Sequence, residues 1–225
     1  NSGGNWNGQV DWIYRVVNHI TSSKIEPGTA LINSAQNQVF PDEFIDAYIT
    51  DPPYYDAFPY SDLSDFYYVW IYRALGEEIC EYDNSLVPKE DEIVVYDVVH
   101  GNDTIKDNTF FEKEMTKALK TARKMVKSDS IALIVFANKT TKGWEALIES
   151  IINSGWIVTA SWPIDTERPN RQRAMNSAAL GSSIHIICRP RIFENYEEVG
   201  YWNDVISELP KKISVWMNKL IDEGV

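Results

Sequence analysis

The most informative part of the chain is the stretch Thr50-Asp51-Pro52-Pro53-Tyr54-Tyr55-Asp56, which directly follows the apolar run Phe44-Ile45-Asp46-Ala47-Tyr48-Ile49. A short apolar run of this kind predicts a buried strand. An acid followed by two prolines must end that strand, because neither proline can donate a hydrogen bond to a neighbouring strand. We therefore expect Asp51 to lie at the carboxyl end of a strand, where ligands bind in an open α/β sheet.

The residue types around Asp51 predict a site for a flat ring that carries an amine. The fixed φ angles of Pro52 and Pro53 would hold the Asp51 carboxylate and the carbonyls of Asp51 and Pro52 facing one point. Tyr54 adds an aromatic ring beside these acceptors. Acceptors next to a ring are typical of sites that receive a base taken out of its stack. The alternative is a plain strand-ending turn with an exposed tyrosine.

These residues carry a resemblance to a known class of enzyme. The tetrapeptide at 51–54 resembles the (Asp/Asn/Ser)-Pro-Pro-(Tyr/Phe/Trp) motif of S-adenosylmethionine-dependent methyltransferases that act on exocyclic or amide nitrogens. The longer string DPPYYDAFPYSDLSDFYYVW, followed by LVPKEDEIV at 86–94, is similar to the large adenine-specific DNA methylases that carry an inserted zinc ribbon. The likeness runs through nearly the whole chain. It implies S-adenosylmethionine as the cofactor and DNA, with a flipped-out adenine, as the partner.

The resemblance also implies which residues act on the base. The exocyclic amine would donate hydrogen bonds to the Asp51 carboxylate and the Pro52 carbonyl, and Tyr54 would stack on the base. The catalytic set implied in this way is Asp51, Pro52, Pro53 and Tyr54, and the substrate-binding set adds Tyr55 and Asp56.

A second set of residues is implied to contact the methyl donor. Residues 29–33 predict a short strand, and in the methyltransferases a strand end just before the catalytic strand contacts the donor's adenine. Ser34 and Ala35 are therefore candidates for donor binding, together with Asp51. A plain loop between a strand and a helix is the alternative for Ser34 and Ala35.

The rest of the chain predicts alternating helices and strands. This order resembles the second half of a class I methyltransferase, a three-layer Rossmann-like α/β fold whose mostly parallel sheet ends in an antiparallel pair at its edge. The predicted helices span 10–20, 61–75, 110–127 and 142–154. The first is expected to have a packing role, the second to be capped by Ser61 and ended by Gly76, and the third to direct four lysines outward. The predicted strands span 93–96, 131–136, entered by a turn at Ser128-Asp129, 156–162 and 183–188.

The net charge of −12 argues against a self-sufficient nucleic-acid binder, because such proteins neutralise phosphates with clustered Lys and Arg. The segment 166–191 is the exception, with five arginines against one acid. We predict that DNA is contacted by the loop 163–182, whose Asn176 begins a run similar to the family's Asn-Ala-x-x-x-Ser-Ser; an unstructured edge loop is the alternative. The predicted contacts are Arg168, Arg171, Arg173 and Asn176.

One half of the methyltransferase pattern is missing from the sequence. Such enzymes bind the donor with a glycine-rich turn after the first strand and an acid that ends the second, and neither is found here. We expect a carboxyl-terminal fragment of a longer enzyme, inactive alone, whose partner is the upstream donor-binding half of the same polypeptide. Residues 1–193 would form the partial catalytic domain and residues 194–225 a tail of two helices that leads into more chain. Restriction-modification or defence proteins are further possible partners.

The composition limits the setting of the protein. At 225 residues, with 44% hydrophobic and 24% charged residues, the chain has the values of an ordinary globular domain. Its two cysteines and three histidines are scattered, which predicts no metal site and no disulfide framework. No apolar stretch approaches the ~20 residues of a membrane span, so we expect a cytoplasmic protein.

Other functions stay open at this point. Relatives with a similar tetrapeptide modify cytosine N4, RNA bases or a protein glutamine amide, and only the extended string favours DNA adenine. A chain that keeps the fold without a donor site would instead serve as a non-catalytic binding module.

Overall fold

The computed structural model describes residues 5–23, 25–76, 86–96, 105–165, 182–192 and 201–222. The chain divides into two compact units, Asn1–Ser34 and Ala35–Val225. The predicted boundary at 193/194 lies among residues outside the described ranges, so this domain division stays a prediction.

The first unit contains one helix, α1 (Trp6–Ser22). The Asn5 side chain caps it by accepting a hydrogen bond from the Gly8 backbone N at 2.8 Å. The predicted helix is therefore confirmed, but none of its residues is buried, so its predicted packing role finds no support. The strand predicted at 29–33 is wrong: these residues are exposed and pair with no strand in the described part of the chain.

The second unit is built on a four-stranded sheet. Its strands are β1 (Ile45–Thr50), β2 (Val126–Phe136), β3 (Trp156–Asp165) and β4 (Ser182–Pro190), in the order β1-β2-β4-β3. β1 and β2 are parallel, whereas β4 is antiparallel to both β2 and β3. The last strand is thus inserted in the reverse direction between its two predecessors. The fold is an α/β, Rossmann-like fold of the class I type, as the sequence predicts.

This topology brings three strand ends together. Because β4 is antiparallel to both of its neighbours, β3 runs in the same direction as β1 and β2. The carboxyl ends of these three strands therefore lie at the same end of the sheet. Asp165, the last residue of β3, pairs with Ser182, the first residue of β4. The arginine-rich loop therefore leaves and re-enters the sheet on the side where Asp51 follows β1. Arg168, Arg171, Arg173 and Asn176 themselves lie outside the described residues.

The helices α3 (Asn108–Met125) and α4 (Thr141–Asn153) pack on each other and on the sheet. The apolar side of α3 is buried and its lysines are exposed, as predicted. The helix ends at Met125, two residues earlier than predicted, and β2 starts at once. The predicted turn at Ser128-Asp129 is wrong, because a register shift absorbs these residues: Ile45 pairs with Val126 but Ala47 with Ile131.

The helix α2 (Tyr60–Leu75) differs most from its prediction. Gly76 ends it with a φ of 71°, as predicted. The predicted cap at Ser61 is wrong: the helix begins one residue earlier, and Ser61 lies in its first turn. Its apolar residues recur at helical spacing, but α2, described throughout, has no buried residue. The large side chains left exposed there are Tyr60, Leu63, Phe66, Tyr67, Trp70, Ile71 and Leu75.

Two further predictions need correction. Residues 93–96 form no strand; Ile93 and Val94 are buried, and a single bridge joins Tyr96 to Lys106. The tail forms one helix, α5 (Trp202–Asp222), rather than two. The helix continues through Pro210, although an interior proline removes one backbone donor and its ring clashes with the carbonyl four residues earlier. None of the described helices is long and apolar enough to cross a membrane.

Candidate functional site

A cavity of about 230 Å³ opens where β1 ends. Thr50 is the last residue of the strand, and the next four residues turn away from the sheet, as two consecutive prolines require. The cavity is lined by Asp51, Pro52, Pro53 and Tyr54, and by Tyr60 from the first turn of α2. The structure thus brings the four residues of the implied catalytic set to one cavity.

Asp51 and Tyr54 interact directly within this cavity. The Asp51 side chain is exposed, whereas Pro52 beneath it is buried. Burial, and then the hydrogen bond with the Asp51 carboxylate and its charge, raise the pKa of Tyr54 far above its ordinary value. Tyr54 is therefore neutral at physiological pH, and its hydroxyl acts as a donor to Asp51. Its ring packs edge-on against Phe136 of β2, with the ring centres 5.5 Å apart.

Tyr60 is a cavity residue that sequence reasoning missed. Burial is the main cause that raises the pKa of Tyr60; a hydrogen bond with the Tyr54 backbone lowers it, and the charges of Asp51 and Glu92 raise it further. The Tyr60 hydroxyl is thus neutral as well. The signal in the sequence was its place inside the string that carries the resemblance.

Tyr55 faces the core instead of the cavity. It is buried, its ring packs edge-on against Phe111 at 5.1 Å, and its hydroxyl donates to Oδ1 of Asn108 at 2.9 Å. Its φ of 60° is unusual for an aromatic residue, and the left-handed region costs roughly 1–2 kcal/mol. The tight turn that places Tyr54 in the cavity thus carries local strain. The Tyr55 ring is thus packed in the core, and the substrate-binding role implied for it stays a prediction.

Asp56 is exposed, and its carboxylate accepts a hydrogen bond from the side chain of Asn138 at 3.1 Å. Asn138 follows β2, and nothing in the sequence analysis singled it out. The same side chain also donates to the carbonyl of Tyr54. Asn138 therefore links the connection after β2 to the loop after β1.

The segment 86–94 is held against α2 by charged groups. The ammonium of Lys89 contacts the carboxylates of Asp62 and Asp65 at 2.6 Å each, and the backbone N of Val87 donates to Asp65 at 2.8 Å. Glu92 accepts two hydrogen bonds from Ser61. Residues 77–85 and 97–104, on either side of this part of the chain, lie outside the described residues.

The predicted donor-binding residues lie in irregular structure. Ser34 is half-buried, and its backbone N donates to the Asn33 side chain at 2.9 Å; Ala35 is exposed and begins a turn. The strand that they were expected to follow does not form. Their role stays a prediction. Among the described residues, no group of His, Cys, Asp and Glu side chains could hold a metal ion.

Comparison with known proteins yields likenesses among solved structures. No family model and no curated protein sequence matches the chain. Among solved structures, the chain is similar to the PvuII DNA methyltransferase, described as cytosine-N4-specific, with a TM-score of 0.39 and 10% sequence identity. The match covers 70% of this chain and 47% of that one, so the chain spans less than half the length of that enzyme.

Proposed function

We propose that the chain is a catalytic part of an S-adenosylmethionine-dependent methyltransferase that modifies the exocyclic N6 amine of adenine in DNA. One observation carries the proposal: the Asp-Pro-Pro-Tyr sequence directly follows a parallel strand, and all four of its residues line one cavity. The carboxyl end of a parallel strand is where α/β sheets bind ligands. The extended likeness of residues 51–70 and 86–94 to adenine-specific methylases favours adenine as the target.

The geometry suits an amine as the reacting group. The Asp51 carboxylate accepts hydrogen bonds only, and in this structure the Tyr54 hydroxyl donates to it. An exocyclic amine entering the cavity would take over this bond and donate a second one to the carbonyl of Pro52. These acceptors draw the amine toward sp³ geometry and localise its lone pair, so that the nitrogen becomes the nucleophile. Tyr54, freed from Asp51, would lie against the base.

No covalent enzyme intermediate is needed, so orientation and electrostatics supply the rate. Effective molarity can contribute roughly 7–11 kcal/mol to such a step. S-adenosylmethionine, when bound, supplies a methyl group on a sulfonium for in-line attack. Of the residues implied to hold it, Asp51 lies in the cavity, and a carboxylate there fits a cationic donor as well as an amine. The contacts of Ser34 and Ala35 with the donor belong to the proposal.

Methyl transfer to defined DNA tests the proposal directly. Radiolabelled S-adenosylmethionine is incubated with this chain joined to the expected donor-binding half, and with duplexes that carry adenine or cytosine as the only modifiable base. Label on adenine N6 supports the proposal, and label on cytosine N4 replaces adenine by the second candidate. Calorimetry with S-adenosylmethionine on the same joined protein is the companion measurement: donor binding without transfer to either base would contradict the proposed reaction, and neither binding nor transfer would favour a non-catalytic module.

A further inference from the structure

Asn138 is a buried amide that joins two neighbouring strand ends. It follows β2 after Ala137 and is only 1% exposed. Its Nδ2 donates to the backbone carbonyl of Tyr54 and to Oδ1 of Asp56, at 3.1 Å each. A buried amide is costly unless it is hydrogen-bonded. The satisfied state of Asn138 therefore depends on the loop 54–56 keeping its present position.

The other side of the Asn138 amide is held equally firmly. Oδ1 accepts hydrogen bonds from the backbone N and the Oγ1 of Thr140, both at 2.7 Å. The backbone carbonyl of Asn138 accepts from Nε1 of Trp144 at 2.8 Å. The partners also fix which way the amide points, because a carbonyl can bond only to the NH₂ and a backbone N–H only to the oxygen. The start of α4 thus fixes the orientation of the Asn138 side chain that donates to the loop 54–56.

Gly143 in the first turn of α4 leaves the space that Asn138 occupies. A Cβ built at Gly143 would lie 2.8 Å from Cγ and 3.0 Å from Nδ2 of Asn138, closer than real contacts allow. Glycine is a poor helix former. Its presence in this turn is explained by the amide beside it.

We propose that Asn138 is a positioning residue for the cavity after β1. The backbone of Tyr54 is held by Asn138, and its ring packs on Phe136, whose own ring packs edge-on on Trp144 at 5.0 Å. Both the backbone and the ring of Tyr54 are therefore held by residues at the end of β2 and the start of α4. Its consequence for catalysis rests on the proposed function, but its structural content does not.

The structural content is tested by the NMR resonances of the Tyr54 ring in ¹³C-tyrosine-labelled protein, assigned with Tyr54→Phe. We expect them to shift in Asn138→Ala, which removes the amide, and in Gly143→Ala, which displaces it without changing any hydrogen-bonding group. The matched control is Ser154→Ala, at the other end of α4, where a buried hydroxyl donates only to the carbonyls of Ser150 and Ile151. Unshifted Tyr54 resonances in both test variants, in protein that remains folded, would overturn the proposal.

A charge swap keeps the test decisive if the alanine variants fold poorly. Asn138→Asp preserves the shape but places a carboxylate against Asp56 and the Tyr54 carbonyl, so the loop should shift. Adding Asp56→Asn restores a donor and an acceptor across the contact and should bring the Tyr54 resonances back toward the wild type. A double variant that remains as far from the wild type as Asn138→Asp would contradict the positioning role.

Kinetics separate this inference from the proposed function. A misplacement of about 1 Å can cost roughly 10²-fold in rate, so Asn138→Ala and Gly143→Ala should lower kcat by that order while the KM for the donor stays unchanged. Ser154→Ala should leave both kcat and the KM for the donor unchanged. An unaltered kcat in both test variants would count against positioning. These rates are measured on the chain joined to the expected donor-binding half. If that wild-type protein transfers no methyl group, the proposed function fails, and the Tyr54 resonances alone decide the role of Asn138.

Discussion

Ser61 and Glu92 lie 31 positions apart in the sequence, yet the Glu92 carboxylate accepts two hydrogen bonds from Ser61, from the backbone N at 3.0 Å and from Oγ at 2.5 Å. The N–H groups of a helix's first turn have no partner within the helix. Pro59, at the N-cap of α2, provides no side-chain hydrogen bond. Glu92 therefore caps α2 from a distance, next to Tyr60 in the wall of the cavity.

Replacing Glu92 with alanine should lower the free energy of unfolding by about 0.5–2 kcal/mol, the usual effect of losing a helix cap. Urea denaturation of the purified protein measures this. The control is Glu90→Ala, an exposed acid two residues earlier, which should stay within about 0.5 kcal/mol of the wild type. Equal losses in both variants would show that Glu92 has no special role as a cap.

Removing the Asp51 carboxylate should abolish most of the activity while sparing the fold. In the chain joined to the expected donor-binding half, Asp51→Ala takes away the charged acceptor for the amine, and we expect at least a ~10²-fold loss in methyl transfer. Because Asp51 is exposed, thermal stability should remain near the wild-type value. Asp46→Ala, at an exposed acid on β1, the strand that leads to Asp51, is the matched control and should retain activity. Wild-type turnover in Asp51→Ala would end the catalytic assignment.

The role of Tyr54 can be divided between its ring and its hydroxyl. Stacking on a base is worth about 1–3 kcal/mol, so Tyr54→Ala should weaken the complex with an extrahelical base by that amount. Tyr54→Phe and Tyr54→Trp keep the ring and should largely retain binding, which the fluorescence of 2-aminopurine at the target position reports. Tyr67→Ala, at an exposed tyrosine of α2, serves as the control. Equal losses in Phe and Ala would assign the effect to the hydroxyl that bonds Asp51.

The regular elements of the fold could be predicted because their periodicity reflects burial. The buried side of α3 and the continuous apolar run of β2 appear in the sequence as patterns with the correct spacing. The same logic failed for α2, whose apolar stripe at helical spacing is exposed. Spacing reports the preference of a segment for a helix with one apolar side, and it does not report which surface covers that side.

The cavity could be predicted in part for a similar reason. Asp51 through Tyr54 are adjacent in sequence, and two prolines dictate where the strand must end. Asn138 and Glu92 could not be found in this way, because each reaches the site from a distant segment through a hydrogen bond that leaves no local pattern. For Asn138 the only signal was indirect: a polar residue at the end of an apolar strand, followed by Thr140 and Gly143 at the start of a helix.

The contact of Lys89 with α2 should depend on pH in a defined direction. Burial acts to lower the pKa of Lys89, but hydrogen bonds with Asp62 and Asp65 and their charges outweigh it, and the pKa is raised above its ordinary value of 10.5. A raised pKa in the folded state stabilises the protein fully below pH 10.5, and this stabilisation is lost as the pH rises through the folded value.

Thermal denaturation of Lys89→Met therefore should show a Tm below the wild type by a constant amount from pH 7 to about 10. The two curves should converge at higher pH, as the wild-type ammonium loses its proton. Lys113→Met, at an exposed lysine of α3, should follow the wild type throughout. A difference that persists unchanged above the folded pKa would show that the Lys89 stem, rather than its charge, provides the stability.

Because the chain has a net charge of −12, we expect it to contact DNA through a locally basic segment. Asp165, where β3 ends, and Ser182, where β4 begins, lie at the end of the sheet where Asp51 follows β1, and the segment between them in the sequence contains Arg168, Arg171 and Arg173. We therefore predict that phosphates near a base in the cavity contact these arginines, whereas the exposed lysines of α3 belong to a helix whose opposite side packs on the core. We expect duplex binding no tighter than about 10⁻⁴ to 10⁻⁶ M, steeply weakened by salt.

Two triple variants with the same change in net charge test this expectation. Replacing Arg168, Arg171 and Arg173 with alanine should flatten the slope of log K against log salt by up to about 2.7, since each lost phosphate contact in duplex DNA contributes about 0.9. Replacing Lys113, Lys120 and Lys124 with alanine should leave the slope nearly unchanged, because we expect this exposed row of lysines on α3 to face solvent and not DNA. Titration of both variants and the wild type against DNA at several salt concentrations provides the slopes. Equal flattening in the two variants would mean that only the overall charge matters, and an unchanged slope in the arginine variant would place the DNA surface elsewhere than on the loop.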